Sequence, residues 1–455
     1  MTSPLYQEPW EEIEAILEAG DTERLKAFVE ALLPGETARA VSRLQEEDQT
    51  RLLTLLPPED AADLLKEISH AQAADLIDDL PPPQAAAIVN QMPSDEQVDL
   101  LGELKAEEAE AIVQEMDVEE VKDVRQLSQY PPDTAGGLMI TEYLVYPDHY
   151  KVANVLDDLR EHTEKYSKYD VQYVYVISQN RTLVGVLRPR DLLLSAKETP
   201  VTRIMIPEPM HVPTHCPLDE LVQFFDRYGF FGAPVTDEQL KLVGIVRRAD
   251  VEEAVGDRAD RTLLKFSGIV GGEELRSMSL PVRTFRRLSW LSINIVLNVV
   301  AASVIALYQD TLAAAIALAV FLPIISDMSG CSGNQAVAVS LRELTLGLVK
   351  PYEIFRVLLK EAAVGLINGV ALGLLLGGVA WGWKGNPYLG LVVGGALALN
   401  TLVAVCLGGM IPLMLRRMKM DPALASGPIL TTVTDMCGFF LALSFATVAL
   451  SRLVS

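Results

Sequence analysis

Cysteine and histidine are scarce in this chain of 455 residues. The cysteines show no C-x-x-C spacing, which indicates neither a zinc site nor a disulfide framework. All five histidines lie in the first 215 residues, and the sequence contains no phosphate-binding loop and no recognisable nucleophile–base pair. We therefore predict that the chain is not an enzyme. The N-terminus has no basic stretch followed by an apolar one, so no signal peptide is predicted.

Basic residues are few in the first part of the chain. Residues 1–256 hold 22 Lys and Arg against 50 Asp and Glu, a net charge of −28, whereas residues 257–455 hold 16 against 11, a net charge of +5. The mean hydropathy is nevertheless positive, at +0.24. These values predict an acidic soluble half and an apolar half. The acidic half would repel the phosphates of nucleic acids, so we expect no nucleic-acid partner. We expect it to bind cations or a basic partner instead.

Residues 1–135 are predicted to form an all-α domain of short helical repeats. Leu56-Pro57, Leu80-Pro81 and Met92-Pro93 recur at spacings of 24 and 12 residues. Since proline is tolerated in the first turn of a helix and restricts the residue before it, each of these pairs predicts the start of a new helix. A fixed period favours a short solenoid of helix pairs. An irregular helical bundle is the alternative.

Residues 136–256 are predicted to be an α/β domain that contains the same unit twice. Strand-like segments at 171–177 and 183–187 precede a helix, and the order returns at 232–235 and 242–246. This tandem β-α-β-β-α pattern resembles a pair of CBS domains. The resemblance implies an adenine nucleotide such as ATP between the copies, with Asp191 and Asp250 near the ribose. An empty dimerisation platform is the alternative.

Five long apolar segments follow a predicted connector helix at 257–288, and residues 289–455 are therefore predicted to be an α-helical transmembrane domain with five spans. Ten Lys and Arg flank the spans on the side of the N-terminus and two flank them on the other side. Because cytoplasmic flanks are enriched in basic residues, we expect a protein of the cell (inner) membrane with its N-terminus in the cytoplasm and its C-terminus outside.

Acidic residues within the spans are candidate ion-binding residues, because a charge at this depth is costly. Asp435 follows Thr431 and Thr432 in the last segment, and such oxygen-rich groups suit a hard cation. A carboxylate bonded to a neighbouring helix is the alternative. Asp327 lies in the second segment. Glu361 opens the third segment, where we expect it to reach the interface.

The second segment is predicted to be interrupted. It contains Pro323, Gly330, Gly333, Asn334 and Gln335, a composition that is unfavourable for a helix facing lipid. Irregular backbone at this depth is tolerated where it is buried or lines a polar path. The alternative is that the glycines allow close packing of helices.

This second-span motif and the closing motif from Asp421 to Gly438, which includes Asp435, resemble the signatures of the MgtE family of magnesium channels and transporters. The domain order also matches over nearly the whole chain. The resemblance implies a homodimer with a pore on its two-fold axis, in which Asp435 and its symmetry mate hold a hydrated Mg²⁺. It further implies that intracellular Mg²⁺ bridges the acidic N-terminal and CBS domains and closes the channel.

The chain departs from the family pattern at two places. Ser329, Gly330 and Cys331 stand where the family carries Gly-Gly-Asn, and Asp327 replaces a small neutral residue, which could shift the preference toward softer divalent ions. Arg258 and Arg261 lie at a junction that is acidic in the family. Two other functions remain open: a proton- or sodium-coupled exchanger of divalent cations, and a membrane-anchored CBS sensor of nucleotides without transport.

Overall fold

The structure, a computed structural model, describes residues 8–167, 169, 171–269 and 280–453. The chain divides into two compact units, with the division between Arg258 and Ala259. Residues 270–279 of the predicted connector lie outside the described residues. The flanking parts are helical: one helix covers Arg248–Phe266 and the next begins at Leu280.

From residue 8 onward the N-terminal part contains ten short helices, and three of them begin at the predicted X-Pro pairs. They are α1 Pro9–Ala19, α2 Thr22–Glu30, α3 Pro34–Val41, α4 Glu46–Leu55, α5 Pro58–Lys66, α6 His70–Asp78, α7 Pro82–Val89, α8 Ser94–Glu103, α9 Ala106–Val113 and α10 Val118–Leu127. Pro57, Pro81 and Pro93 each occupy the N-cap position of a helix. Fully buried leucines such as Leu17 and Leu52 join the helices in one apolar core.

The following segment contains two small sheets with their helices. Its elements are β1 Leu144–Pro147, α11 Val152–Glu161, α12 Thr163–Tyr166, β2 Val174–Ile177, β3 Leu183–Leu187, α13 Pro189–Leu194, α14 Val201–Ile204, β4 Ile206–Pro207, β5 Val212–Pro213, α15 Leu218–Tyr228, β6 Gly232–Thr236, β7 Leu242–Arg247 and α16 Arg248–Phe266. In the first sheet, of order β1-β2-β3-β4, the pair β1 and β2 is parallel and the other pairs are antiparallel. The second, of order β5-β6-β7, repeats this with β5 parallel to β6 and β6 antiparallel to β7. The tandem pattern is confirmed.

Each copy is completed by the segment that precedes the other copy. Ile140, ahead of the first copy, bridges Ile245 in β7, whereas β4, ahead of the second copy, pairs with β3. Glycines at equivalent positions of β3 and β7, Gly185 and Gly244, make this exchange possible. A Cβ atom at Gly244 would lie 2.6 Å from the sulfur of Met139, and one at Gly185 would collide with the side chain of Met205.

The last part of the chain is helical. Its elements are α17 Leu280–Leu307, α18 Gln309–Ala314, a 3₁₀ helix at Ile316–Val320, α19 Leu322–Thr345, α20 Ile354–Lys384, α21 Pro387–Arg417, α22 Pro422–Val448 and α23 Leu450–Leu453. Within the part of the chain that the structure describes, five helical stretches are long and apolar enough to cross a membrane: Leu280–Leu307, Ile316–Thr345, Ile354–Lys384, Pro387–Arg417 and Gly427–Val448. Each overlaps one of the apolar segments predicted from the sequence, which lie at roughly 289–307, 312–341, 354–381, 388–415 and 425–453.

Glycines allow α20 and α21 to pack closely. In α20 they recur every four residues at Gly365, Gly369, Gly373 and Gly377. A Cβ atom at Gly373 would lie 2.6 Å from the carbonyl oxygen of Gly394 in α21, and one at Gly377 would lie 2.7 Å from that of Gly390. Because the hydrophobic effect does not drive helices together within lipid, such close backbone packing is a main source of the affinity between two membrane helices.

Candidate functional site

The Asp435 carboxylate lies inside the helical bundle at the contact between α19 and α22. Only 9% of the residue is exposed. Its Oδ1 atom accepts a hydrogen bond from the hydroxyl group of Ser326 in α19. This bond fixes the orientation of the carboxylate, and its other oxygen, Oδ2, takes no part in the bond. The alternative prediction for Asp435, a carboxylate bonded to a neighbouring helix, thus agrees with the structure. This hydrogen bond is compatible with ion binding, because one hydroxyl group uses only part of the carboxylate's capacity to accept hydrogen bonds.

The prediction of irregular backbone in the second span was wrong in position. Helix α19 runs without a break through Asp327, Gly330, Gly333, Asn334 and Gln335. Pro323 does not interrupt it, because it lies in the first turn, where a backbone N–H is not needed. The irregular backbone lies earlier, in the 3₁₀ helix before α19.

The packing alternative is supported for one of the two glycines. A Cβ atom at Gly333 would lie 2.9 Å from a methyl group of Leu430 in α22 and 3.0 Å from the carbonyl oxygen of Ala404 in α21. At Gly330 a Cβ atom would meet no atom within 4 Å. Gly333 therefore sets the distance between α19 and its two neighbours, whereas at Gly330, although it is buried, there is room for a Cβ atom.

The threonines ahead of Asp435 use their protons within their own helix. The hydroxyl group of Thr431 donates to the carbonyl oxygen of Gly427 at 2.9 Å, and that of Thr432 donates to the carbonyl oxygen of Pro428 at 2.7 Å. Each hydroxyl oxygen keeps its lone pairs for a further donor or a cation. Thr431 is exposed and Thr432 is half-buried, so both can contribute oxygen atoms beside Asp435.

A polar stripe is exposed along one face of α19. It consists of Asp327, Cys331 and Gln335, spaced four residues apart. Residues with this spacing lie above one another on a helix. Asp327 directly follows Ser326, whose hydroxyl group donates to the carboxylate of Asp435. Polar groups facing lipid are costly, and this stripe therefore requires water or protein against it.

Three buried oxygen atoms of the described span helices have no hydrogen-bond partner in the protein. They are Oδ1 of Asn334, Oδ1 of Asn400 and Oγ1 of Thr401. Buried polar atoms without a partner are uncommon and call for a physical explanation, such as water or a bound ion. Asn400 in α21 is fully buried, and its Nδ2 atom donates to the carbonyl oxygen of Thr434 at 3.1 Å. The Asn400 side chain therefore contacts the residue that directly precedes Asp435 in α22.

The sequence reasoning missed Ser326, Asn400 and Thr401. Asn400 and Thr401 are polar residues in the middle of an apolar run, and that was a signal available in the sequence. Ser326 had no comparable signal, since it is one of several small polar residues in its segment.

Glu361 is half-buried, and its side chain packs against Gly409 of α21. A Cβ atom added at Gly409 would lie 2.7 Å from the Cγ atom of Glu361.

The chemistry of this site favours a hydrated hard cation. Among the described residues no group of three or more His, Cys, Asp or Glu side chains is arranged to hold a metal ion directly. The oxygen atoms available are instead one carboxylate with a second nearby, hydroxyl groups and amide oxygens. Mg²⁺ keeps several of its water ligands and binds through one or two carboxylates, which agrees with such a set.

A cavity of about 480 Å³ lies between the two β-α-β-β-α copies. Its walls include the rings of Tyr173, Tyr175 and Phe230 and the side chains of Arg188 and Glu208. Asp191 and Asp250, the sequence-based candidates for a ribose contact, do not line it. The Oδ1 atom of Asp191 lies 3.6 Å from the Nε atom of Arg190, and Asp250 forms an ion pair with Arg247.

Arg258, one of the two basic residues that depart from the family pattern at the junction, has an acidic partner. Arg258 in α16 forms an ion pair with Asp219 in the first turn of α15. Lys265, near the end of α16, forms another with Asp421, the N-cap residue of α22, at 2.8 Å. Basic side chains of α16 therefore pair with acidic residues of α15 and at the N-terminus of α22.

Comparison with known protein families gives a match for three parts of the chain. Residues 322–445 match the MgtE model, described as a divalent cation transporter. Residues 32–133 match the model of the MgtE intracellular N domain, and residues 201–257 match the CBS domain.

Similar proteins and structures agree with these matches. The magnesium transporters MgtE of Bacillus subtilis and Thermus thermophilus are 33% and 34% identical over 327 and 329 residues, which is 72% of each chain. A crystal structure of the soluble part of a magnesium transporter covers 55% of this chain and 98% of its own, with 26% identity and a TM-score of 0.51. A structure of the cytosolic domain of the Mg²⁺ channel MgtE in complex with ATP covers 54% and 99%, with 30% identity and a TM-score of 0.50. The chain, a multi-pass membrane protein with a helical N-terminal domain and a CBS pair, belongs to the MgtE family.

Proposed function

We propose that this protein transports Mg²⁺ across the cell membrane as a homodimeric channel. The ion passes between the two membrane domains, close to Asp435 of each subunit. The single observation that carries the proposal is the buried, oriented carboxylate of Asp435 within a span helix. The names of the similar proteins, magnesium transporters and a Mg²⁺ channel, supply the substrate.

Electrostatics explains why a pair of such carboxylates would select a divalent cation. Two carboxylates that face each other repel, and a cation between them removes that repulsion. A hydrated Mg²⁺ needs only outer contacts to the carboxylates, so the ion avoids the high cost of losing its water. Rings of acidic side chains act in this way as filters in cation channels. Asn400, which contacts the residue directly before Asp435, would supply its unpartnered oxygen to a water molecule of the ion.

A second copy of the chain would cover the polar stripe of α19. Asp327, Cys331 and Gln335 are exposed in the single chain, and an intramembrane acidic residue normally faces protein or a watery cavity. The CBS pair also carries exposed apolar side chains, with Leu193 and Leu194 exposed by 74% and 79%. Both features support a homodimer in which the stripe lines the ion path.

We place the N-terminal and CBS domains in the cytoplasm, because the basic flanks of the spans lie on that side by ten residues to two. There the acidic domains would respond to intracellular Mg²⁺, since cations relieve the repulsion within a surface of high negative charge. Such binding would rest on water-mediated contacts to pairs of carboxylates. At the α16 junction Arg258 already neutralises Asp219, so sensing at that position is not part of the proposal.

The cavity between the CBS copies fits an adenine nucleotide. Aromatic rings from Tyr173 and Phe230 offer faces for a purine, and Arg188 offers a guanidinium group for a phosphate. Its volume falls within the range of ligand pockets. We therefore assign the nucleotide contacts to this cavity rather than to Asp191 and Asp250.

A coupled exchanger is the second candidate. The presence of two acidic residues in span helices, Asp327 and Asp435, favours it, because carboxylates within a membrane can act as relays for protons. In that case the movement of Mg²⁺ would depend on a proton or sodium gradient.

Uptake into liposomes tests the proposed function. Purified protein is reconstituted, and the entry of Mg²⁺, Mn²⁺, Co²⁺ and Ca²⁺ is compared under the same membrane potential. We expect entry of Mg²⁺, with Co²⁺ or Mn²⁺ also admitted if Asp327 and Cys331 line the path. An absence of entry for all four ions would overturn the proposal and leave a membrane-anchored sensor.

A further inference from the structure

The N-terminus of α8 docks on the CBS pair through polar contacts. Ser94, the first residue of α8, is fully buried. Its backbone N–H and its hydroxyl group both donate to the carboxylate of Glu142 at 2.9 Å. The Ser94 hydroxyl oxygen in turn accepts from the backbone N–H of Thr141 at 3.0 Å. The N-terminal domain is thus held at this point by side chains that lie just ahead of β1.

Beside this contact one guanidinium group lies between two carboxylates from different domains. Arg247, the last residue of β7, has its Nη2 atom 2.7 Å from Oδ1 of Asp250 and its Nε atom 2.8 Å from Oδ2. The same Nη2 atom lies 3.4 Å from Oδ2 of Asp95 in α8. The side chains of Arg247, Asp95 and Asp250 are only 23%, 12% and 11% exposed. The guanidinium group therefore joins the N-terminal domain to the CBS pair in a largely buried position.

A positive charge lies between these two carboxylates without a metal ion. Two carboxylates carry two negative charges when ionised, and Arg247 supplies one positive charge. Burial, followed by the charge of Asp250, raises the pKa of Asp95 to about 8. The charge of the Arg247 guanidinium group opposes this rise, and it supplies positive charge that a divalent cation would otherwise bring to the same pair of carboxylates.

We propose that Arg247 is a built-in cation that docks the N-terminal domain on the CBS pair without a divalent ion. Removal of Mg²⁺ then leaves this contact closed, and any response of the cytoplasmic domains to Mg²⁺ arises at other surfaces. The inference concerns the association of two domains and stands independently of the proposed transport, because its test measures docking and not ion movement.

The test is hydrogen–deuterium exchange in the full-length protein in detergent at neutral pH, with millimolar Mg²⁺ or with a chelator. The readout is the amide protection of residues 94–103, which form α8. Arg247→Gln removes the charge at similar size. Arg248→Gln is the matched control, because Arg248 pairs with Glu252 and Asp226 within the CBS pair. Protection of α15 reports whether the CBS core stays folded.

In the wild type and in Arg248→Gln we expect equal protection of α8 with and without Mg²⁺. In Arg247→Gln with chelator we expect exchange to rise by about tenfold or more, since a buried carboxylate loses its counter-ion. Mg²⁺ should then restore protection, because Asp95 and Asp250 remain as oxygen ligands. The double variant Asp95→Asn, Arg247→Gln should show no response to Mg²⁺. Loss of protection in the wild type on chelation would overturn the proposal, as would unchanged exchange in Arg247→Gln.

Discussion

Replacing Asp435 by asparagine removes the charge of the proposed filter with little change of shape. The asparagine side chain has the same size and keeps an oxygen that can accept from the hydroxyl group of Ser326. Because Asp435 is only 9% exposed, the contacts around it depend mainly on its shape. We therefore expect Asp435→Asn to fold and insert as the wild type does.

The expected loss follows from the charge of the ion. A hydrated Mg²⁺ would lie about 5 Å from each carboxylate, and in a water-like dielectric of about 80 each contact contributes about 1.7 kcal/mol. Both subunits lose a carboxylate, so the site loses about 3.3 kcal/mol, which corresponds to a roughly 200-fold lower occupancy at low Mg²⁺. A lower effective dielectric in the membrane would make the loss larger.

The assay is Mg²⁺ uptake into liposomes at concentrations that do not saturate the wild type. Asp435→Asn should lower uptake by about two orders of magnitude, following the loss of occupancy. Ser326→Ala should lower uptake less, because it removes the hydrogen bond that orients the carboxylate and keeps the charge. Thermal unfolding of both variants in detergent checks that they are folded. If Asp435→Asn transports as well as the wild type, the filter assignment is refuted.

Three further predictions concern the packing and the cytoplasmic domains. Gly373→Val should lower the free energy of unfolding by about 1–3 kcal/mol because its side chain meets α21, while Gly378→Val, with no atom within 4 Å, should have little effect in the same denaturation assay. The hydrogen bond to Glu96 raises the pKa of His70 to about 9, above its ordinary value, so this pair stabilises the fold fully below about pH 6.5 and loses its effect as the pH rises to 9. Melting temperatures measured across this range should fall more steeply in the wild type than in His70→Gln, and equal slopes would contradict the assignment. Arg188→Ala should weaken ATP binding by about tenfold or more in calorimetry, and unchanged affinity would remove the phosphate contact.

Local rules predicted much of the cytoplasmic fold. The pairs Leu56-Pro57 and Leu80-Pro81 each precede the start of a helix, because proline determines its own backbone geometry. The order of strand-like segments at 171–177 and 183–187, which returns at 232–235 and 242–246, predicted two equivalent copies. The sequence did not predict that each copy is completed by the segment ahead of the other, because that exchange depends on long-range packing of Met139 and Met205.

The membrane site was predictable only in part. Asp435 was identified because a charge in an apolar segment is costly and therefore informative. The residue that orients it, Ser326, lies more than a hundred positions earlier in the chain, and only the packing of α19 on α22 brings the two together. The prediction of a break in the second span helix near Gly330 was wrong, because amino-acid composition indicates only the tendency of a segment to form a helix in isolation. Neighbouring helices that pack at Gly333 stabilise α19 in spite of that tendency.

The reversal potential of the wild-type protein in liposomes tests most directly whether it is a Mg²⁺ channel. With a Mg²⁺ gradient across the membrane, a channel predicts a current that reverses at the equilibrium potential of Mg²⁺, shifting by about 30 mV for each tenfold change of the gradient. Proton or sodium gradients should not move this potential. A reversal potential that follows pH or sodium would contradict the channel and support the coupled exchanger.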